Sequence, residues 1–375
     1  MFFSTSRQNT ELHLTQLSLA LTGVAAALLL WSTGNIAWSV LQGQDFIRLL
    51  ETGLFGALSG FLVYGNLCYQ VTRLGRLRRI QEHQASSCTE DGHPWFVAEA
   101  PALTILVPSY REELPVIRQT LLSAALQDYP NKRVVLLLDD PPAPKTRQDQ
   151  SALWAARSLP FDLQTLLASP YCYVTDAKSA FRSRQSTTDF ALGEECVWLS
   201  DCYRWAAEWF EVQAKEAPVE SHTDVWFVEH ILTQPAQVCR KESAQWFARR
   251  RQISDVPCET LQQEIDAAYV CLAARFRVEF DVFERKQYCN LSHEPNKAMN
   301  LNSFLGIMGK RVKPVRRKDG LYLEDTDHNR SRLVPDTPYV ITLDADSLLK
   351  PRYATTLVRL MEQPEHAQVA VAQTP

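Results

Sequence analysis

The chain has 375 residues, 46% of them hydrophobic and 22% charged, with a formal net charge of −4 at pH 7. That length exceeds one average domain and supplies a sizeable core, while the near balance of charge, with no chain-wide basic excess, argues against nucleic acid as a partner. The cysteines at 68, 88, 172, 196, 202, 239, 258, 271 and 289 form an odd, scattered set without a C-x-x-C pair. Such a set fits reduced, packing thiols in a cytoplasmic environment, not a disulfide framework or a zinc site.

From Leu14 to Leu41 the chain is almost wholly apolar, and a second run, Leu49 to Val71, carries only Glu51. About 20 apolar residues suffice to cross a bilayer. Residues 1–80 are therefore expected to form an N-terminal membrane region with two transmembrane helices. A signal peptide fits less well, because the first run is long, has no basic region beyond Arg7 and is followed by a second span. Gly56 and Gly60 make a G-x-x-x-G spacing that would let the helices approach closely. Arg73, Arg76, Arg78 and Arg79 follow the second span, whereas the connection from Gln42 to Arg48 holds one arginine and one aspartate. By the positive-inside rule the arginines, the N-terminus and the remaining chain are expected on the cytoplasmic side.

After a polar linker, about 81–100, Leu103 to Val107 reads as a strand ending at Pro108-Ser109-Tyr110-Arg111-Glu112. A helix with Leu114, Ile117, Leu121, Leu122 and Ala125 at helical spacing follows, then a second strand, Arg133 to Leu138, that stops at Asp139 and Asp140. Strand, helix and strand of these lengths predict a βαβ unit with parallel strands. No G-x-G-x-x-G follows the first strand, which disfavours a dinucleotide cradle. Pro141-Pro142-Ala143-Pro144 opens a loop, and helical periodicity then dominates an insertion spanning about 145–290, in the stretches Leu153 to Leu167, Val197 to Val212 and Leu261 to Phe283. The stripe Trp198, Trp205, Trp209 and Phe210 reads as helix core, and His222, Glu229 and His230 fit no metal-ligand signature. The basic run from Lys310 to Lys318, answered by Glu324, Asp325 and Asp327, predicts a solvated hairpin.

Tyr339 to Leu343 is a β-branched, apolar run that stops at Asp344-Ala345-Asp346. It predicts a buried central strand delivering two carboxylates to the sheet edge where open α/β sheets bind ligands. Alternation would aim Asp344 and Asp346 the same way, toward one hard cation. The competing reading is a turn in which Asp346 caps the helix suggested by Pro351 to Met361. Val369 to Pro375 reads as one more strand.

Taken in order, Val107-Pro108-Ser109-Tyr110-Arg111-Glu112-Glu113, Leu138-Asp139-Asp140, Asn296-Lys297-Ala298-Met299-Asn300-Leu301-Asn302 and Leu343-Asp344-Ala345-Asp346 resemble the motifs of family 2 glycosyltransferases, above all the membrane-embedded kind typified by bacterial cellulose synthase catalytic subunits. The resemblance implies an α/β fold of the GT-A (Rossmann-like) type over residues 101–375, with a mixed, mostly parallel sheet, a helical insertion and two N-terminal transmembrane helices. It implies a multi-pass protein of the inner (plasma) membrane that moves a sugar, with inversion, from a nucleotide-sugar, such as a UDP-sugar, to a glycan acceptor. Partner subunits of a synthase complex are a further expectation. Pro108, Ser109, Tyr110, Glu112, Asp139, Asp140, Lys297 and Asp344 would bind the donor, with Asp139 or Asp140 near the base and ribose and Lys297 at the diphosphate. Asp344 and Asp346 would hold Mg2+ or Mn2+. Met299 stands where the family more usually has glycine. The family's later general base and Gln-x-x-Arg-Trp motif have no counterpart before Pro375, so a donor-binding front with the base beyond Pro375 is expected. A non-catalytic, membrane-anchored scaffold is the alternative. A nucleotidyltransferase would need a glycine-rich loop that Ser109-Tyr110-Arg111 does not supply.

Overall fold

The computed structural model describes residues 2–43, 46–87, 100–186, 190–251, 257–327 and 330–374. It divides into two compact units, Met1–His93 and Pro94–Pro375.

The first unit holds helices α1 (Phe2–Gln42) and α2 (Phe46–Ser87), which pack along one another. Within it, Thr10–Gln42 and Phe46–Arg79 are long and apolar enough to cross a membrane. The less exposed positions recur every three or four residues: Thr15, Leu19, Thr22, Ala26 and Leu29 on α1, Thr52, Gly56, Ser59, Val63, Leu67 and Gln70 on α2. That spacing is the seam of two packed helices. Gln70 Nε2 donates across it to Thr22 Oγ1 at 2.9 Å. The outward side chains, among them Leu28, Trp31, Phe61 and Leu62, are exposed and apolar. The G-x-x-x-G expectation needs correcting. Gly56 lies on the seam but Gly60 is exposed, and a Cβ at either would meet nothing within 4 Å. Small, polar and aliphatic residues share this seam, and no backbone contact at glycine sets it.

The second unit is built on a four-stranded parallel sheet in the order β3-β2-β1-β7, from β1 (Leu103–Ser109), β2 (Lys132–Leu138), β3 (Glu279–Phe283) and β7 (Tyr339–Thr342). Helix α3 (Leu114–Ala125) is the predicted crossover between β1 and β2. The insertion folds as α4 (Arg147–Arg184), α5 (Leu192–Glu216), α6 (His222–Phe227), which runs through a π turn at Val228–Thr233 into α7 (Gln234–Arg249), and α8 (Cys258–Phe276). Helix α9 (Lys297–Leu305) follows β3, then a separate antiparallel sheet of β4 (Arg311–Arg316), β5 (Leu321–Asp325) and β6 (Arg332–Leu333), and α10 (Tyr353–Met361) comes after β7.

Alternation divides the core. Ile105, Val107, Val134, Leu136 and Leu138 face a large cluster with the helices of the insertion, including Leu163, Leu167, Phe210 and Phe276. Leu106, Val135, Leu137 and Phe283 face the other way, onto Phe304 of α9, Val312 and Leu323 of the small sheet and Val334 just past β6. The tryptophan stripe is shared between core and surface: Trp209 packs edge-on against Phe210 and Phe276, at 5.1 Å and 5.2 Å between centroids, while Trp198 lies beneath the Arg184 guanidinium at 3.8 Å.

Three expectations change. The helix read from Leu261 through Phe283 ends at Phe276, and residues 279–283 form β3 on the main sheet. Val278-Glu279-Phe280-Asp281-Val282-Phe283 alternates with a period of two, a strand signal that the apolar run before it obscures. β7 is an edge strand among the described residues, half-exposed along its length, where a buried central strand was expected. The segment from Val369 pairs with no described strand; it lies exposed, with Val371 at 81%.

Candidate functional site

The chain leaves β1 through β2 to β3 on one side and returns on the other with β7, so the loops after β1 and β7 diverge. A crevice opens at such a switch point, at the C-terminal ends of the strands. Register fixes what reaches it. Ser109 stands opposite Leu138 and Leu106 opposite Thr342; the ladder continues with Asp139 N–H donating to the Ser109 carbonyl and Leu343 N–H to the Leu106 carbonyl, both at 2.9 Å. Tyr110, Asp139 and Asp344 therefore emerge at one edge.

There a cavity of about 360 Å³ is lined by Pro108, Ser109, Tyr110, Glu112, Asp139, Pro295, Asn296, Lys297, Asn300, Asp344, Ala345 and Asp346. Of the expected donor and metal residues only Asp140 is elsewhere. It lines an adjoining cavity of about 510 Å³ with Arg111, Lys145 and Asp149, and the two cavities share Ser109 and Glu112. Burial pushes the Asp140 carboxyl up, and the Arg111 backbone N–H, at 3.5 Å, opposes that shift. Arg111 itself has a φ of 55°, a left-handed conformation that is uncommon outside glycine.

Each part of the wall is fastened. After β7 the chain turns, with Ser347 N–H donating to the Asp344 carbonyl at 3.0 Å. Ala345 is buried and its carbonyl accepts from Thr120 Oγ1 of α3 at 2.6 Å, so Asp344 and Asp346 are left facing outward on either side of it. Gln127, just past α3, holds the next stretch: its Nε2 donates to the Lys350 carbonyl at 2.8 Å and its Oε1 accepts from Ala354 N–H at 3.0 Å. Lys297 opens α9 behind the cap residue Asn296, whose side chain accepts from Ala298 N–H at 2.8 Å. A helix start of this kind presents N–H groups and positive potential to an anion. Lys297 Nζ pairs with Asp344, and both are about half exposed, at 52% and 56%.

Sequence reasoning passed over Arg285 and Lys286. Phe283 stands opposite Leu137, so Arg285 comes level with Asp139. Its guanidinium, 0% exposed, pairs with Asp139 at 2.7 Å and donates to the carbonyls of Ser292 and Glu294, which lead into Asn296 and Lys297. Lys286 Nζ approaches the other Asp139 oxygen at 3.3 Å and sits 5.4 Å from the centre of the Tyr110 ring. This pair of cations welds the ends of β1 and β2 to the loop that carries Lys297. Both oxygens of Asp139 are engaged by it, so Asp139 is committed to the scaffold of the wall. Two basic residues one position past an alternating strand were the available signal.

Two buried oxygens of the same wall, Ser109 Oγ and Asn300 Oδ1, have no protein partner. Leaving such a group unsatisfied costs about 1–3 kcal/mol, which a bound ligand can offset. Among the described residues no three His, Cys, Asp or Glu side chains gather as a metal cluster. Asp344 and Asp346 alone fit a hard divalent cation of the kind that takes one or two carboxylates and completes its shell with phosphate oxygens and water.

The fold and crevice define an α/β protein with a polar crevice at a parallel-sheet switch point. Over 115 residues the chain is 32% identical to "Putative cellulose synthase 2" and, separately, to "Putative cellulose synthase 3", both of Komagataeibacter xylinus. Those residues are 30% of this chain and 7% of each relative, so the chain spans a small fraction of the relatives it matches. No protein-family model and no solved structure matches.

Proposed function

We propose that residues 101–375 are the donor-binding part of a membrane-bound glycosyltransferase of the GT-A type, related to family 2. It takes a sugar from a UDP-sugar or similar nucleotide-sugar and passes it, with inversion, to a growing glycan. Eight of the nine expected donor and metal residues, all but Asp140, line one cavity, and this observation carries the reading. The partial likeness to cellulose synthases supports the same class.

In this reading Lys297, with the N–H groups that open α9, neutralises the diphosphate of the donor. Asp344 and Asp346 hold Mg2+ or Mn2+, which when bound supplies Lewis-acid stabilisation of the departing nucleoside diphosphate. Without ligand, Lys297 and Asp344 neutralise each other. Each then has a new partner in the donor complex, so neither charge is left uncompensated in either state. The spans of α1 and α2 anchor this unit at the membrane, with the arginines toward the C-terminal end of α2, Arg73, Arg76, Arg78 and Arg79, on the cytoplasmic side. Synthase subunits and a polysaccharide acceptor are the partners that go with this class.

Calorimetry of UDP binding to the full chain in detergent, with and without Mn2+, tests the proposal, together with UDP release from UDP-glucose. UDP should bind more tightly with Mn2+, and Asp346→Ala should cut that Mn2+-dependent gain by about tenfold or more. Equal binding and equal release by both proteins would remove the metal role.

A further inference from the structure

At the opposite edge of the main sheet from β7, a cavity of about 490 Å³ is lined by residues of β3, α4, α9 and the small sheet. That volume lies within the ~300–1,000 Å³ usual for small-ligand sites. It shares no lining residue with the two cavities at the crevice. Part of its lining is apolar, from Phe283, Phe304, Val312 and Leu323, joined by Phe161 of α4, which is 65% exposed.

The charged groups of this wall are ion-paired already. Arg157 Nε and Nη2 donate to the two Glu284 oxygens, both at 2.7 Å, and Arg332 pairs with Asp281, which Arg133 also engages at 2.6 Å. A charged ligand would have to displace one of these partners. Gln287 and Tyr288 differ. Both are half-buried, and among the described residues neither the Gln287 amide nor the Tyr288 hydroxyl has a hydrogen-bond partner. Burial, and then the charge of Glu284, raises the Tyr288 phenol, so it stays an O–H donor at neutral pH. The edge of β3 is closed to an added strand. Gln164 of α4 accepts from Phe280 N–H and donates to the Val278 carbonyl, both at 3.0 Å, and Asp281 Oδ1 accepts from Val282 N–H at 2.9 Å. A peptide joining the sheet would need those groups.

We infer that this cavity is a second, non-catalytic site that binds a neutral oligosaccharide. A sugar lays the C–H face of its ring on an aromatic side chain and turns hydroxyls, each a donor and an acceptor, to the sides. The cavity supplies the complement: Phe161 for the ring face, and Gln287 and Tyr288 for hydroxyls. The paired carboxylates and guanidinium groups keep lone pairs and N–H groups to spare, so a neutral ligand can use them without breaking the pairs. An aliphatic chain would cover Gln287 and Tyr288 and leave them unpaired. This site goes beyond the donor reading and does not depend on what the crevice binds.

Calorimetry on the full chain, in a polyoxyethylene detergent that carries no sugar headgroup, tests this with cellohexaose, maltohexaose and laminarihexaose. At least one should bind, with an affinity that saturating UDP and Mn2+ leave within about twofold. Phe161→Ala, at an exposed position, and the near-isosteric Tyr288→Phe should each weaken that oligosaccharide about fivefold while leaving Mn2+-dependent UDP binding within about twofold. No binding of any of the three, equal binding by the native chain and both variants, or displacement of the oligosaccharide by decanoate or by UDP would overturn the inference. A chain that binds the oligosaccharide in this variant-sensitive way but not UDP would uphold this site and remove the donor reading alone.

Discussion

Asp139 and Asp140 are neighbours with different fates. Asp139 is clamped by the buried Arg285 and by Lys286, an arrangement in which a carboxylate and two cations compensate each other out of water. Asp140 turns into the adjoining cavity, where burial raises its carboxyl and only Arg111 and Lys286 offer relief. A group raised on folding destabilises the native state once it must ionise there. Below its ordinary value of 3.8 it is protonated in both states and the penalty is absent; as pH rises through the folded value the penalty develops in full. Asp140→Asn should therefore melt at a higher temperature than the native chain at pH 7, and the gap should close as pH falls toward about 4. A gap that is constant over that range would show that desolvation of the carboxylate is not its source.

At the scale of elements, the site depends on α3 as much as on the strands it serves. Thr120, Ser123 and Gln127 put side-chain groups against the chain that follows β7, and Thr120 alone ties the carbonyl between the two outward carboxylates. Thr120→Val keeps the shape of the side chain and removes the hydroxyl. It should destabilise the second unit by about 1–3 kcal/mol, read from urea midpoints, because the Ala345 carbonyl loses its buried donor. It should also weaken Mn2+-dependent UDP binding, since the turn carrying Asp344 and Asp346 is then less firmly held. A loss of stability with unaltered binding would mean that the turn keeps its shape without this bond.

For the molecule as a whole, two kinds of surface follow from two kinds of solvent. The second unit buries its apolar side chains around one sheet, whereas α1 and α2 turn Leu, Phe and Trp outward from Leu14 to Leu41 and from Phe46 to Val71. Exposed apolar area of that extent is stable in hydrocarbon and not in water. The full chain should accordingly require detergent for extraction from membranes. A chain beginning at Pro94 should remain in the supernatant after high-speed centrifugation, with a cooperative melting transition. Aggregation of that shorter chain would show that the second unit relies on the helices for cover.

Period and composition were enough for what depends on near neighbours in sequence. The two apolar spans, the β1-α3-β2 unit, the helices α4, α5 and α8 of the insertion and the residues at the ends of β1, β2 and β7 were readable from local pattern, because alternation and helical spacing reflect which face a side chain must bury, whereas α6 and α7 were not read. Long-range pairing decided the rest. That residues 279–283 join the main sheet beside β2, that β7 lies at its edge, and that Arg285 takes up Asp139 while Asp140 faces another cavity all depend on strands far apart in the chain coming into register. No window of the sequence contains both partners of such a contact, so only the assembled sheet fixes which carboxylates remain available to a ligand.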